Sequence, residues 1–257
     1  RNIVAFTFTD KAAAELKDRI ITRCHEALGE VPGLAEMFVG TIHAFCLETL
    51  KTEVPKYLRF EVLNEIQQSL FVDRHSRQSG LTTSSDLQGR TLQRYIDTSN
   101  YINALWILRE TDVNSAALRR CSVVAGLQSY EALLDHWSYL DYSGILKAAV
   151  EVMAHDADLR SRLAERVRCV IVDEYQDVNP IQEGIVRLLY DLGAKVCVVG
   201  DDDQTIYQWR GSDVTNILEF ANRYSDVQMQ PLEDNFRSSE GIVETARPFI
   251  EQNAERL

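Results

Sequence analysis

The clearest hydrophobic pattern in this chain lies between residues 170 and 201. VIVDEYQD, residues 170–177, is an apolar run that ends in two adjacent carboxylates. Such a run reads as a strand buried on both faces of a parallel sheet. NPIQEGIVRLLYDLG follows. Asn179 is a good helix N-cap, Pro180 suits the first turn, and Gln182 completes a capping-box pair. Ile185, Val186, Leu188, Leu189 and Leu192 form one apolar face, and Gly193 ends the helix. KVCVVGD, residues 195–201, reads as a second buried strand. Strand, helix and strand together imply a right-handed crossover between parallel neighbours.

The rest of the chain yields a coarser pattern. Residues 3–8 read as a strand. Asp10 is placed to cap a helix over 11–28, in which Ala12, Leu16, Ile20, Cys24 and Leu28 fall four apart. Residues 37–39 suggest a short strand and 41–51 a helix. From about 60 to 135 the pattern is helical and polar-rich, interrupted by GLTTSSD at 80–86. Helices are expected at 142–155, 157–166 and near 213–222, and a strand at 227–232. A last helix starts near Ser239, with Pro248 kinking or ending it. There are no internal repeats or low-complexity tracts.

Several side chains carry candidate chemistry. Carboxylates at the C-terminal end of a buried strand lie in the crevice where open α/β sheets bind ligands. Asp173 is placed to hold Mg²⁺, and Glu174 to orient or deprotonate a water. Gln204 follows the second strand by a short acidic loop, and its amide can donate to a phosphate oxygen and accept from water. Asp201, Asp202 and Asp203 are consecutive, which does not fit a calcium-loop spacing and suits a solvated or capping role. Tyr207 and Trp209 lie two apart. In an extended segment they point the same way, as a surface on which bases stack. Arg210 beside them can reach a phosphate or base, or pair with a carboxylate.

Five stretches together resemble the motifs of UvrD/Rep/PcrA-type helicases of superfamily 1. They are AFTFTDKAAAELKDRI (5–20), VGTIHAFCLETL (39–50), DEYQD (173–177), GDDDQTIYQWRG (200–211) and PLEDNFRSSEGIV (231–243), in the family's order. The resemblance implies a RecA-like P-loop NTPase fold, an α/β parallel sheet with an all-α insertion subdomain. The expected division is a first motor domain over 1–51 and 137–230, a helical insertion over 52–136, and the start of a second motor domain over 231–257. It implies ATP and Mg²⁺, with Asp173 as metal partner, Glu174 activating the attacking water and Gln204 sensing the γ-phosphate. Phe236 would stack on adenine and Arg237 would reach the γ-phosphate. Phe8, Thr41, His43, Tyr207, Trp209 and Arg210 would contact single-stranded DNA or a single-strand/duplex junction. By the family's precedent movement runs 3′ to 5′. This chain departs from the pattern at Asp10, where Asn is usual, at Ile42 and Ala44, and at Phe236, where Tyr is usual.

No GxxxxGK[ST] phosphate loop occurs in the 257 residues. In the family it precedes the first of these motifs, so the chain reads as an internal piece of a longer helicase, and the piece alone is expected to hydrolyse ATP poorly or not at all. A non-motor DNA-binding or docking module of a repair or defence complex is the alternative. A kinase-like phosphotransferase is a third reading, which the GTIH and TIYQWRG motifs oppose.

Composition refines this picture. Net charge is −12, which argues against binding mainly through duplex phosphates and suits a narrow groove where aromatic stacking supplies affinity. No apolar run approaches membrane-spanning length, and the start is not a signal peptide. The five cysteines have no CxxC or zinc spacing. Cys169 and Cys197 read as buried free thiols, which fits a reducing cytoplasm.

Overall fold

The computed structural model describes residues 2–31, 33–86, 88–111, 122–208 and 211–252. Its centre is a four-stranded sheet of β1 (Ile3–Phe6), β2 (Phe38–Gly40), β5 (Cys169–Val172) and β6 (Lys195–Val198), in the order β2-β1-β5-β6. Every pairing is parallel. Val4 sits opposite Phe38 on one side and Val170 on the other, and Val170 faces Val196. All four C-terminal ends therefore share one rim.

Most of the helices follow the sequence pattern closely. Helix α8 (Pro180–Asp191) has Asn179 as N-cap with a full capping box to Gln182, and it buries Ile185, Val186 and Leu189. Helices α6 (Tyr142–His155) and α7 (Ala157–Arg166) begin at Asp caps, Asp141 and Asp156. Helix α6 packs between α8 and α2 (Ile42–Glu53), and its Ile145, Leu146, Ala149 and Met153 join Phe6, Val170, Val172 and Ile185 in the main core.

Other elements differ from expectation. Helix α1 spans Asp10–Leu28, and its cap is Thr9, whose hydroxyl accepts from Ala12 N; Asp10 is the first helical residue. Thr9 has the extended backbone a cap requires, and Asp10 does not. Helix α1 buries only Ala13, and Leu28 is exposed. Residues 227–232 form no strand. Near 213–222 there are two short helices, α9 (Thr215–Leu218) and α10 (Phe220–Arg223), which meet at Glu219. Helix α11 (Glu240–Ile250) starts after Ser239 and runs two residues past Pro248. Strand β6 pairs with β5 alone among the described residues, so it forms an open edge. Cys197 is exposed and Cys169 half-buried, and neither is the buried thiol expected.

The intervening region holds α3 (Glu65–Arg74), α4 (Thr98–Glu110) and α5 (Ser122–Trp137). These helices have a separate core, including Phe71, Val72, Leu81, Tyr101, Leu105, Tyr130 and Leu134. The region is not purely helical. A two-stranded parallel ladder of β3 (Glu61–Val62) and β4 (Tyr139–Leu140) closes its base.

A buried ion pair joins the two cores. Arg109 on α4 donates through both Nη atoms to Asp141, at 2.8 and 2.6 Å. Gln68 and Tyr130 donate to the same carboxylate at 2.8 and 2.9 Å. Against the opposing effect of burial, the Arg109 charge and then these hydrogen bonds hold the carboxyl below its ordinary range. Removing one partner of such a pair costs about 3–5 kcal/mol, because a buried charge is left uncompensated.

Candidate functional site

The parallel sheet brings the candidate residues to one rim. Beyond β1 come Thr7, Phe8 and Thr9; beyond β2, Thr41; beyond β5, Asp173 and Glu174; beyond β6, the 200–208 loop. A cleft between this rim and the insertion is lined by Phe8, Thr41, His43, Asp173, Glu174 and Tyr207, with Trp106 opposite on α4.

Asp173 is half-buried, and its backbone N–H donates to Phe6 O at 3.0 Å, which extends the β1–β5 ladder. Glu174 is exposed and sits in the left-handed region, at φ 52° and ψ 45°. A non-glycine residue there is strained by about 1–3 kcal/mol, and such strain concentrates at functional sites. The left-handed turn sends Tyr175 into the core, where its hydroxyl donates to the buried Glu183, while the Glu174 side chain stays outside.

Gln176 links the two strand ends. It is buried, its Nε2 donates to Glu174 Oε2 at 2.7 Å, and its Oε1 accepts from Asp201 N at 3.1 Å. Asp201 Oδ2 in turn accepts from Gln204 Nε2 at 2.6 Å, and Asp201 Oδ1 caps the short turn Asp202–Gln204. A continuous hydrogen-bonded chain thus runs from Glu174 through Gln176 and Asp201 to Gln204. A Cβ at position 200 would lie 2.6 Å from Gln176 Oε1, so Gly200 is what lets the Gln176 amide lie between the loops.

The carboxylates at the acidic end crowd one another. Burial, and then the charge of Glu174, hold the Asp173 carboxyl above its usual range. The same two causes lift Asp177 to about 6. One oxygen of Asp177, Oδ1, is buried with no hydrogen-bond partner. Crowded carboxylates of this kind match a Mg²⁺ ion, which takes one or two carboxylates and completes its shell with water and phosphate oxygens. Among the described residues no group of three His, Cys, Asp or Glu side chains forms a protein-only metal site.

At the other end of the cleft, Phe8 and Tyr207 stack with ring centroids 5.1 Å apart and planes at 19°. Phe8 is 38% exposed, so it belongs to the surface and not the core. Thr41 is the N-cap of α2, its hydroxyl accepting from Ala44 N at 3.1 Å. His43 lies edge-on to Tyr142 at 5.8 Å. Burial lowers His43 to about 4, against an opposing pull from Asp10, so the imidazole is neutral at physiological pH.

Phe236 and Arg237 are fully outside the core. Phe236 is 93% exposed, and Asn235 Oδ1 accepts from the backbone N–H groups of Arg237 and Ser238, each at 2.9 Å. Trp209 and Arg210 lie outside the described residues. The structure also brings in residues that sequence reasoning missed. Gln176, Asp177 and Trp106 belong to this site; the first two sit inside the DEYQD motif, and no local signal marks Trp106.

A parallel α/β sheet with this acidic rim and a helical insertion defines a RecA-like helicase motor fold. The sequence profile of the UvrD/REP helicase N-terminal domain matches residues 1–225. The chain is 32% identical over 274 residues to DNA helicase II of Salmonella typhimurium, an alignment covering 100% of this chain and 35% of the relative. It is 31% identical to DNA helicase II of Escherichia coli over the same span and coverage. It is 28% identical over 258 residues to the ATP-dependent DNA helicase PcrA of Bacillus subtilis, covering 99% of this chain and 34% of the relative. The chain belongs to the UvrD/REP helicase family. It spans about a third of the length of these curated relatives. Among the described residues no helix is long and apolar enough to cross a membrane.

Proposed function

We propose that this chain is the motor core of an ATP-dependent DNA helicase that moves along single-stranded DNA. The observation that carries this reading is the hydrogen-bonded chain Glu174–Gln176–Asp201–Gln204, because it ties an acidic strand end to the loop that bears Tyr207. Residues 1–51 and 137–230 form the first motor domain, 52–136 the insertion, and 231–257 the start of the second. The two separate cores support that division.

In this reading Asp173 holds Mg²⁺, which supplies positive charge to the phosphate oxygens. Glu174 orients and deprotonates the attacking water. Its strained backbone fixes the carboxylate at the rim, and the Gln176 amide fixes its direction. Gln204 lies against the terminal phosphate and passes its presence or absence to Asp201 and the 200–208 loop. Arg237 reaches the same phosphate and Phe236 stacks on the adenine. Their exposure suits a role in a cleft between domains.

Phe8 and Tyr207 stack on bases and Thr41 and His43 meet the strand's backbone; Trp209 and Arg210 are assigned strand contacts as well. His43, being neutral, acts as a hydrogen-bond partner and not as a phosphate cation. ATP then drives movement because the nucleotide-bound and nucleotide-free states grip the strand differently. We assign the 3′-to-5′ direction, a single-strand/duplex junction as substrate, repair or defence proteins as partners, and a cytoplasmic location.

The test is ATP hydrolysis by the full-length gene product with and without single-stranded DNA. Glu174→Gln is expected to abolish DNA-stimulated hydrolysis while retaining strand binding. Hydrolysis unaffected by that change would leave the non-motor docking module as the better reading.

A further inference from the structure

The last turn of α4 touches both halves of the site. Arg109 and Glu110 are adjacent and dock on the caps of two different motor helices. Arg109 pairs with Asp141, the N-cap of α6. Glu110 is 3% exposed and accepts from Asn179 Nδ2 at 2.6 Å and from the Ser143 hydroxyl. Asn179 is the N-cap of α8, and its other side-chain atom, Oδ1, accepts from Gln182 N at 3.0 Å. Asn179 also ends the acidic loop, two residues after Asp177.

The same turn meets the far end of the DNA-facing loop. Gly211 has φ +79°, and a Cβ there would lie 3.1 Å from Thr111 Cγ2 and 3.5 Å from Trp106 Cη2. The two loops are also tied to each other, since Asp213 N donates to Val178 O at 3.3 Å and Asn216 Nδ2 donates to it at 2.9 Å.

A plain structural staple needs only the Arg109–Asp141 pair. The Glu110–Asn179 bond adds something a staple does not require, because it sets where the acidic loop enters α8. We propose that Glu110 is a positioning residue: through Asn179 it holds Asp173, Glu174 and Asp177 in register, so the helical insertion sets the rate of hydrolysis. This rests on the motor reading given above.

The test uses the full-length protein and three variants. Glu110→Gln leaves one acceptor oxygen where Glu110 has two, so the Asn179 amide and the Ser143 hydroxyl can no longer both donate to it. It is expected to lower kcat for DNA-stimulated ATP hydrolysis by about 10- to 100-fold, the scale for a small displacement of reacting groups. Single-strand Kd should stay within about twofold, and KM for ATP should change less than kcat, since Glu174 acts on the transition state while Asp173 also meets the bound metal. In the double variant Glu110→Gln/Asn179→Asp the bond is reversed: the amide introduced at position 110 donates to the carboxylate introduced at position 179, whose second oxygen still caps α8. That double variant is expected to regain most of the lost kcat.

A thermal melt on each variant separates positioning from folding. If Glu110→Gln lowers Tm but not kcat, or if the double variant regains Tm without kcat, Glu110 is a staple and the proposal is wrong. Glu174→Gln runs in parallel. If it is fully active, the motor reading fails and takes this proposal with it; if it is inactive while Glu110→Gln is normal, only the proposal fails.

Discussion

Phe8 and Tyr207 stack face to face, although they come from opposite ends of the chain and from the loops after β1 and β6. A pair of partly exposed rings in contact offers a base an edge to extend or a slot to enter. Tyr207→Ala and Phe8→Ala are each expected to weaken single-strand binding by ~1–3 kcal/mol, the usual worth of one base–aromatic stack. Because net charge is −12, the plot of log Kd against log salt should be shallow. Fluorescence titration of an oligonucleotide at several salt concentrations reads both. A steep salt slope with no effect of either substitution would show that phosphate contacts carry the binding.

Glu174 holds a left-handed backbone at a position where glycine is free of strain. Glu174→Gly should raise stability by about 1 kcal/mol, or roughly 2–4 °C in Tm for a chain of this size. The change also removes a charge from the Asp173 and Asp177 neighbourhood, which acts in the same direction. Hydrolysis by the full-length protein should be lost. A lower Tm in a thermal melt would show that the Gln176 bond outweighs the strain.

Asp177 and His43 oppose each other in the dependence of stability on pH. The folded chain keeps the Asp177 proton up to about pH 6, by burial and the charge of Glu174. The unfolded chain releases it at about 4. The folded state therefore binds more protons between these values, and stability falls as pH rises through that window. His43 has the reverse sign: folded, it loses its proton at about 4, and unfolded at about 6.5, so stability rises with pH across that range. Asp177→Asn should leave stability near pH 4 little changed and increase it at pH 7. Denaturant melts at pH 4 to 7 check this; an unchanged difference between variant and parent across that range would contradict it.

How much of this was legible in the sequence follows from the range of the interactions. The 170–201 unit was readable because its signals are local: an apolar run, an Asn-Pro cap and a Gln three residues later. The shared rim followed from parallel pairing alone. The contacts of Glu110 were not readable. An Arg-Glu pair in a polar-rich helix looks like a solvated face, and only the tertiary fold places it against Asp141 and Asn179. Residues 227–232 carry a strand-like pattern but find no partner strand among the described residues. The ladder β3–β4 is two residues per strand, too short for any periodicity. Thr9 and Asp10 are both competent caps, and the backbone at residue 9 decides between them.

In the proposed motor, the side-chain hydrogen-bonded path from Glu174 to Gln204 passes through one amide, that of Gln176. Gln176→Ala removes its bonds to both Glu174 and Asp201 and leaves Asp173, Glu174, Gln204 and Tyr207 in place. The most direct measurement is the ratio of ATP hydrolysis with and without single-stranded DNA in the full-length protein. The variant should retain strand binding, its basal hydrolysis should fall because Glu174 loses the amide that orients it, and the ratio should collapse toward one. A ratio equal to the parent's would contradict the coupling and leave the two ends of the cleft as independent sites.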